Sequence, residues 1–198
     1  MPIDPLESSY DIAIIGGGIA GAGIARDASL RGLSVTLFEK NSFGSGTSGK
    51  SSKLIHGGIR YLELFWNELK LGHSLQARKN LGFVFASLRE EKILRRIAPD
   101  LIEPLPLIIP VYKDAPRKPI SIYTGVCLYF LLGLLAGNGR LPKLFLGKKS
   151  LLRVLPELQP EGLRGGVMFW DSRTEDVRLV RATIASAARN GAQCLENA

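Results

Sequence analysis

The sequence predicts an α/β protein built on a parallel sheet. Three observations carry that prediction. A short apolar run at residues 10–15 leads into a glycine-rich turn and a helical stretch. A second run at 34–38 alternates apolar and hydroxyl side chains. A later helix at 177–190 leads into "GAQCLENA", which starts another strand. Strands separated by helices pair in parallel, with the helices laid on the sheet. The 198 residues are enough for a domain with a real core, and 45% hydrophobic with 22% charged residues is a globular balance rather than a disordered one.

The first run has the uninterrupted apolar character of a strand buried on both faces. Gly16, Gly18 and Gly21 follow in G-x-G-x-x-G spacing. Gly16 lets the chain turn sharply out of the strand, and Gly18 leaves room for a pyrophosphate against the backbone. Gly21 lets helix and strand pack closely, and Ala25 one turn on keeps that contact small. The helix runs to about residue 31, with Gly32 as its C-terminal cap. Its N-terminus offers free N–H groups and a positive dipole end to phosphates. The second strand ends at Glu39, 18 residues after Gly21. A carboxylate there accepts hydrogen bonds from a ribose 2′-hydroxyl and repels the 2′-phosphate of NADP. A glycine fingerprint in this full context predicts a Rossmann-like dinucleotide-binding unit. Its candidate contacts are Gly16, Gly18, Ile19, Ala20, Gly21, Glu39 and Lys40.

Residues 40–52 form a loop rich in Gly, Ser and Thr, long enough to be functional. Small hydroxyl side chains and open backbone suit a long polar ligand. A flavin dinucleotide needs such a segment, because its ribitol and ring extend beyond the pyrophosphate. "SSKLIHGGIRYLE" then sets Lys53, His56, Arg60 and Tyr61 around the pair Gly57–Gly58. On the residues alone, a structural histidine with a surface cation stands level with a ligand site.

"IGGGIAGAGIARDASLRGLSVTLFEK" followed by "GTSGKSSKLIHGGIRYLE" resembles the N-terminal region of the FAD-dependent glycerol-3-phosphate dehydrogenases. The resemblance resumes at "LREEKILRRIAPDLIEPLPLIIPVY" and at "MFWDSRTEDVRLVRATIASAARNGA". It implies an FAD-binding domain of three layers around a parallel sheet, joined to a substrate domain. It implies oxidation of sn-glycerol 3-phosphate to dihydroxyacetone phosphate, with electrons passed to a quinone or another acceptor. By position, Thr47, Ser48, Ser51, Ser52, Lys53 and Leu54 would lie along FAD. His56, Gly57 and Gly58 would border the flavin ring, the glycines admitting backbone close to a flat ring, with His56 the candidate catalytic residue. Arg60 and Tyr61 would face the substrate, Arg60 holding its phosphate by charge-assisted hydrogen bonds. A cytoplasmic protein, peripheral at the inner face of the membrane, is the implied setting. Two other readings share the fingerprint: a flavin oxidase of the amine or amino-acid type, and a truncated FAD-binding product without catalysis.

The expected organisation is a βαβ unit with its ring-side loop over 1–61, a helical, substrate-side segment over 62–165, and a return to the FAD-binding domain over 166–198. Against the family, 71–85 looks inserted, Asp100 stands where a histidine is usual, and the later glycine-rich strand and further substrate cations are missing. The resemblance thus implies the N-terminal part of a longer enzyme, with weak FAD binding and no turnover on its own. His73 is expected to be structural or surface-facing. Residues 120–138 carry no charge over 19 positions, borderline for a span, with cations on both sides; a buried or interfacial helix is expected. Net charge is +8, which suits a phosphorylated small molecule or an anionic membrane. Without zinc-finger spacing or an aromatic RNA-binding signature, neither a metal site nor a nucleic-acid partner is expected. Cys127 and Cys194 make no disulfide framework and read as free, buried thiols in a reducing compartment. The N-terminal residues show no secretory signal.

Overall fold

The computed structural model describes residues 9–137 and 139–198. The first eight residues, which hold most of the N-terminus read for a signal, and Asn138, the last residue of the expected apolar helix, lie outside the described residues. The chain divides into two units. One comprises the residues through Lys53 together with Thr174–Ala198, the other Leu54–Arg173. The divisions fall after 53 and after 173, against the 61 and 165 expected.

The first unit is a three-stranded parallel sheet. Strands β1 (Ile12–Ile15), β2 (Val35–Glu39) and β7 (Gln193–Glu196) lie in the order β1-β2-β7, with Ile14 beside Leu37 and Leu37 beside Cys194. Helices α1 (Ile19–Leu30) and α6 (Asp176–Arg189) cover the face that carries Ile14, Val35 and Leu37. Ala22, Ala25 and Ala28 of α1 and Val180, Ile184 and Ala187 of α6 complete that core. Burying a side chain such as Leu37 contributes about 1.5–3 kcal/mol. Gly32 closes α1 in the left-handed conformation at φ +82, as expected. The other face differs from expectation. Ile15 is 92% exposed, so β1 is buried on one face only, because both helices of the unit pack on the same side of the sheet.

The second unit is not only helical. It holds a four-stranded sheet of β3 (Leu54–Ile55), β4 (Ile102–Tyr112), β5 (Lys143–Leu146) and β6 (Leu163–Thr174), where β6 pairs with each of the other three. β3 and β5 run antiparallel to β6, Ile55 opposite Ser172 and Leu144 opposite Val167. Its helices are α2 (Ile59–Lys70), α3 (Ser74–Ile97), α4 (Pro119–Leu135) and the short α5 (Lys148–Leu152). Gly72, at φ +77, breaks the expected helical stretch into α2 and α3. Leu62, Val84, Leu88, Val126, Tyr129, Val167 and Phe169 form the larger core, and Phe145, Leu151 and Leu163 a smaller one.

The apolar stretch folds as α4, with proline in its first turn where the missing N–H costs nothing. It buries Val126, Tyr129 and Gly133 and leaves Leu131, Leu134 and Leu135 exposed. No described helix is long and apolar enough to cross a membrane. Both cysteines are free, and half-buried rather than buried.

Candidate functional site

In the first unit the glycine turn is built by backbone and by one distant hydroxyl. The Gly16 N–H donates to the Phe38 carbonyl at 2.8 Å, which ends the β1–β2 ladder and turns the chain. Gly16 sits at φ +107, where a β-carbon would be strained, although the space before it is open to 4 Å. A β-carbon on Gly21 would lie 2.0 Å from the Gly16 carbonyl oxygen, so helix and strand approach through that glycine. Gly18 caps α1 without a side chain, and the Ser48 hydroxyl accepts from the Ile19 N–H at 3.0 Å. Ser48, one of the expected cofactor contacts, is therefore brought to the helix N-terminus. A β-carbon on Gly18 would come within 2.9 Å of that hydroxyl.

Glu39 lies beside this turn. One carboxylate oxygen accepts from the Asn41 N–H at 2.9 Å and the other from the Gly17 N–H at 2.7 Å. These bonds, Asn41 first, hold its carboxyl below the usual carboxylate range. Each oxygen keeps a further lone pair for a ribose hydroxyl. Open space before Gly16, a helix N-terminus and an ionised Glu39 fit the ADP half of a dinucleotide. Ile19, Ala20 and Lys40 are exposed around it.

The Gly/Ser loop is ordered by its own contacts. Phe43 is buried, and its N–H donates to the Glu196 carboxylate. Thr47–Gly49 form a tight helical turn, and a β-carbon on Gly49 would strike the Gly44 carbonyl at 2.3 Å. Ser51 donates through its N–H and its hydroxyl to Asp176, at 3.1 and 2.8 Å. Lys53 pairs with Glu175 at 2.9 Å. Both residues were expected along the cofactor; here their side chains tie the loop to the start of α6. Asp176 and Glu175 were not singled out from sequence, although they stand in a stretch that carries the resemblance. Thr47 and Ser52 point to no side-chain partner among the described residues.

In the second unit, Leu54 opens β3 and the turn from His56 to Gly58 follows. The glycines have separate local reasons. A β-carbon on Gly57 would lie 2.4 Å from both Leu88 and the Tyr129 hydroxyl. Gly58 stands at φ +75 as the N-cap of α2. The Gly57 N–H donates to the Tyr129 hydroxyl at 2.8 Å, and that hydroxyl donates to Asp171 Oδ1. Burial pushes the Asp171 carboxyl up, while Tyr129, Gly57 and the charge of His56 pull it back. Burial and the neighbouring Asp171 hold the Tyr129 hydroxyl far above its ordinary value, so it stays protonated. His56 and Arg60 are exposed. Arg60 lines a groove of about 760 Å³ with Ile59, Leu62, Trp66, Val111 and Arg117. Tyr61 lies against Phe83, their ring centres 4.5 Å apart. His73 is surface-facing and held by Glu68 at 2.8 Å.

The family model for FAD dependent oxidoreductases matches residues 11–198. The alpha-glycerophosphate oxidase of Streptococcus pyogenes is 38% identical over 188 residues, which cover 94% of this chain and 28% of that protein. The glycerol-3-phosphate dehydrogenase of Synechocystis is 38% identical over 190 residues, 95% of this chain and 31% of that one. The crystal structure of the glycerol-3-phosphate dehydrogenase from Bacillus halodurans complexed with FAD superposes with a TM-score of 0.64 at 28% identity, over 96% of this chain and 27% of that one. The chain thus spans under a third of the length of these relatives. By the extent of the family match and the geometry of its glycine turn, the chain belongs to the FAD-dependent oxidoreductases, whose cofactor is FAD.

Proposed function

We propose that this chain is the FAD-binding part of an enzyme that oxidises sn-glycerol 3-phosphate to dihydroxyacetone phosphate. The observation that carries this reading is the 38% identity to two glycerophosphate-oxidising enzymes across nearly all of the chain. FAD, when bound, supplies the acceptor for the hydride from C2. The first turn of α1 offers its N–H groups to the pyrophosphate, with Gly16, Gly18 and Gly21 keeping the approach clear. Glu39 receives the adenosine ribose. Thr47, Ser48, Ser51, Ser52, Lys53 and Leu54 run along the remainder of the cofactor, and Gly57 and Gly58 lie at its ring end. Arg60, exposed and without an ion pair among the described residues, holds the substrate phosphate, with Tyr61 beside it. His56 takes the hydroxyl proton. Electrons leave to a quinone.

A peripheral position on the inner face of an anionic membrane accompanies this reading. Residues 115–156 contain Arg117, Lys118, Arg140, Lys143, Lys148, Lys149 and Arg153 and no acid, and the exposed leucines of α4 lie among them. A basic, acid-free stretch with an apolar helix face suits a lipid surface.

The test is anaerobic reduction of the FAD-loaded enzyme containing this chain by sn-glycerol 3-phosphate, read as bleaching of the flavin's visible absorption. Bleaching by dithionite but not by the substrate refutes the substrate assignment. Arg60→Ala should raise KM about tenfold to a hundredfold, since a charged hydrogen bond contributes about 1.5–3 kcal/mol. An unchanged KM places the cation off the substrate path.

A further inference from the structure

Tyr129 and Asp171 each keep only 3% of their surface in solvent. They come from different elements, α4 and β6, and meet at the backbone of a third segment. The Gly57 N–H donates to the Tyr129 hydroxyl at 2.8 Å and lies 3.4 Å from Asp171 Oδ1. The tyrosine O–H in turn donates to the same carboxylate oxygen at 2.5 Å. The bonds thus run in one direction, amide to hydroxyl to carboxylate, an arrangement in which each polarises the next.

The pair is itself held. Tyr129 stands edge-on to Phe169, ring centres 6.0 Å apart at 90°. Asp171 precedes Ser172, which lies opposite Ile55 in the β3–β6 register and donates its hydroxyl to the buried Glu91. The last residue of β3 and the turn that follows are therefore gripped by consecutive residues of one strand. A buried N–H without a partner is costly, so the turn's conformation depends on the tyrosine hydroxyl being present. Gly57 admits that hydroxyl: any β-carbon there would overlap it. What the pair grips is the Gly57 amide, in the turn between β3 and α2; the next residue, Gly58, is held through its carbonyl, which accepts from the Tyr61 N–H at 2.8 Å.

We propose that Tyr129 and Asp171 are positioning residues, a buried hydroxyl–carboxylate clamp that fixes the 56–58 turn and so sets the direction of His56. Its functional meaning rests on the reading of His56 as a residue at the flavin ring. The clamp itself can be measured without flavin or substrate, so its failure is distinguishable from failure of that reading.

The experiment compares wild type, Tyr129→Phe and Asp171→Asn by NMR on the full chain. The sequence has only two histidines, His56 and His73, so their ring Cε1–H signals form a matched pair. His73 is tied to Glu68 in α2 and serves as the control. In Tyr129→Phe the His56 signal should shift or broaden while that of His73 stays. The Gly57 amide should exchange with solvent about tenfold faster or more, as a lost protecting bond requires. Asp171→Asn keeps an acceptor oxygen for the hydroxyl and should give a smaller change in both readouts. Unchanged Gly57 exchange, equal movement of both histidine signals, or a larger effect from Asp171→Asn overturns the clamp. If Tyr129→Phe does not fold, Asp171→Asn decides alone by the Gly57 amide, whose exchange does not depend on the charge between Asp171 and His56: faster exchange supports the clamp and unchanged exchange overturns it.

Discussion

Gly21→Ala and Gly23→Ala make the same chemical change in the same helix and should have opposite effects. At Gly21 the new β-carbon would lie 2.0 Å from the Gly16 carbonyl oxygen and 3.4 Å from Ile14. Ordinary contact demands more than 3 Å, so α1 must retreat from β1 by about 1 Å, and the obstacle is backbone. Overpacking of this kind costs about 1–3 kcal/mol. Alanine returns up to about 1 kcal/mol of helix propensity, leaving a net loss of roughly 2 kcal/mol when the overpacking cost is near its upper end. In a domain of this size that lowers Tm by about 4–8 °C. At Gly23 a β-carbon would meet nothing within 4 Å. The propensity gain is then unopposed, and Tm should rise by about 2–4 °C. The assay is thermal unfolding followed by far-UV circular dichroism, with FAD titration by flavin fluorescence alongside. Gly21→Ala should also weaken FAD binding about tenfold or more, because the retreat carries the α1 amides with it. A Gly21→Ala protein with wild-type Tm and FAD affinity would refute the argument that this glycine sets the helix–strand distance.

Other perturbations test the remaining parts of the two units. Asp171 has its carboxyl raised by burial, so the folded chain binds more protons than the unfolded one above the ordinary value of 3.8. Stability should therefore fall as pH climbs from there through the raised value, and Asp171→Asn should flatten that part of a Tm-against-pH profile; a slope equal to wild type removes Asp171 as its source. Ser51→Ala loses the hydroxyl bond to Asp176 while keeping the backbone N–H bond, and should cost about 1.5–3 kcal/mol for a hydroxyl bond to a carboxylate. Limited proteolysis should then cut within 40–53 sooner than in wild type. Glu39→Gln should narrow the preference for FAD over NADP, measured by competitive titration, since the charge that repels a 2′-phosphate is gone. Unchanged discrimination would locate the ribose elsewhere.

The first βαβ segment was legible because its signals are local. Gly16 and Gly21 act across five residues, and Glu39 acts on Gly17 through a strand pairing that two apolar runs announce. The antiparallel sheet was not. β4 carries Pro104, Pro106 and Pro110, which interrupt the alternation that marks a strand and lack the N–H of a ladder. The clamp was invisible for another reason. Tyr129 sits in a run of leucines that reads as uniformly apolar, and its partners Gly57 and Asp171 are 72 and 42 residues away. Ser51 and Lys53 were recognised as special, but their tie to Asp176 and Glu175 spans more than 120 residues, and no periodicity encodes it. The exposed face of β1 was misjudged because a fully apolar run says that a strand can be buried twice, not that two layers are there to bury it.

The pairing of β2 with β7 has a consequence for synthesis. The Phe43 amide finds its partner in Glu196, 153 residues later. At about 5–20 residues per second, a ribosome needs roughly 8–30 s to make that interval. Throughout it, one edge of β2 has no strand to pair with, and until residue 176 is made the loop from 40 to 53 has no Asp176 to hold it. The intervening 54–173 unit owes nothing to β7 for its core and is complete in the nascent chain first. An open edge that persists for seconds is an opportunity for foreign strands. Slower elongation anywhere between residues 43 and 196 should therefore raise the yield of misassembled chains, whereas slowing before β2 is made should not: the segment translated first is the one finished last.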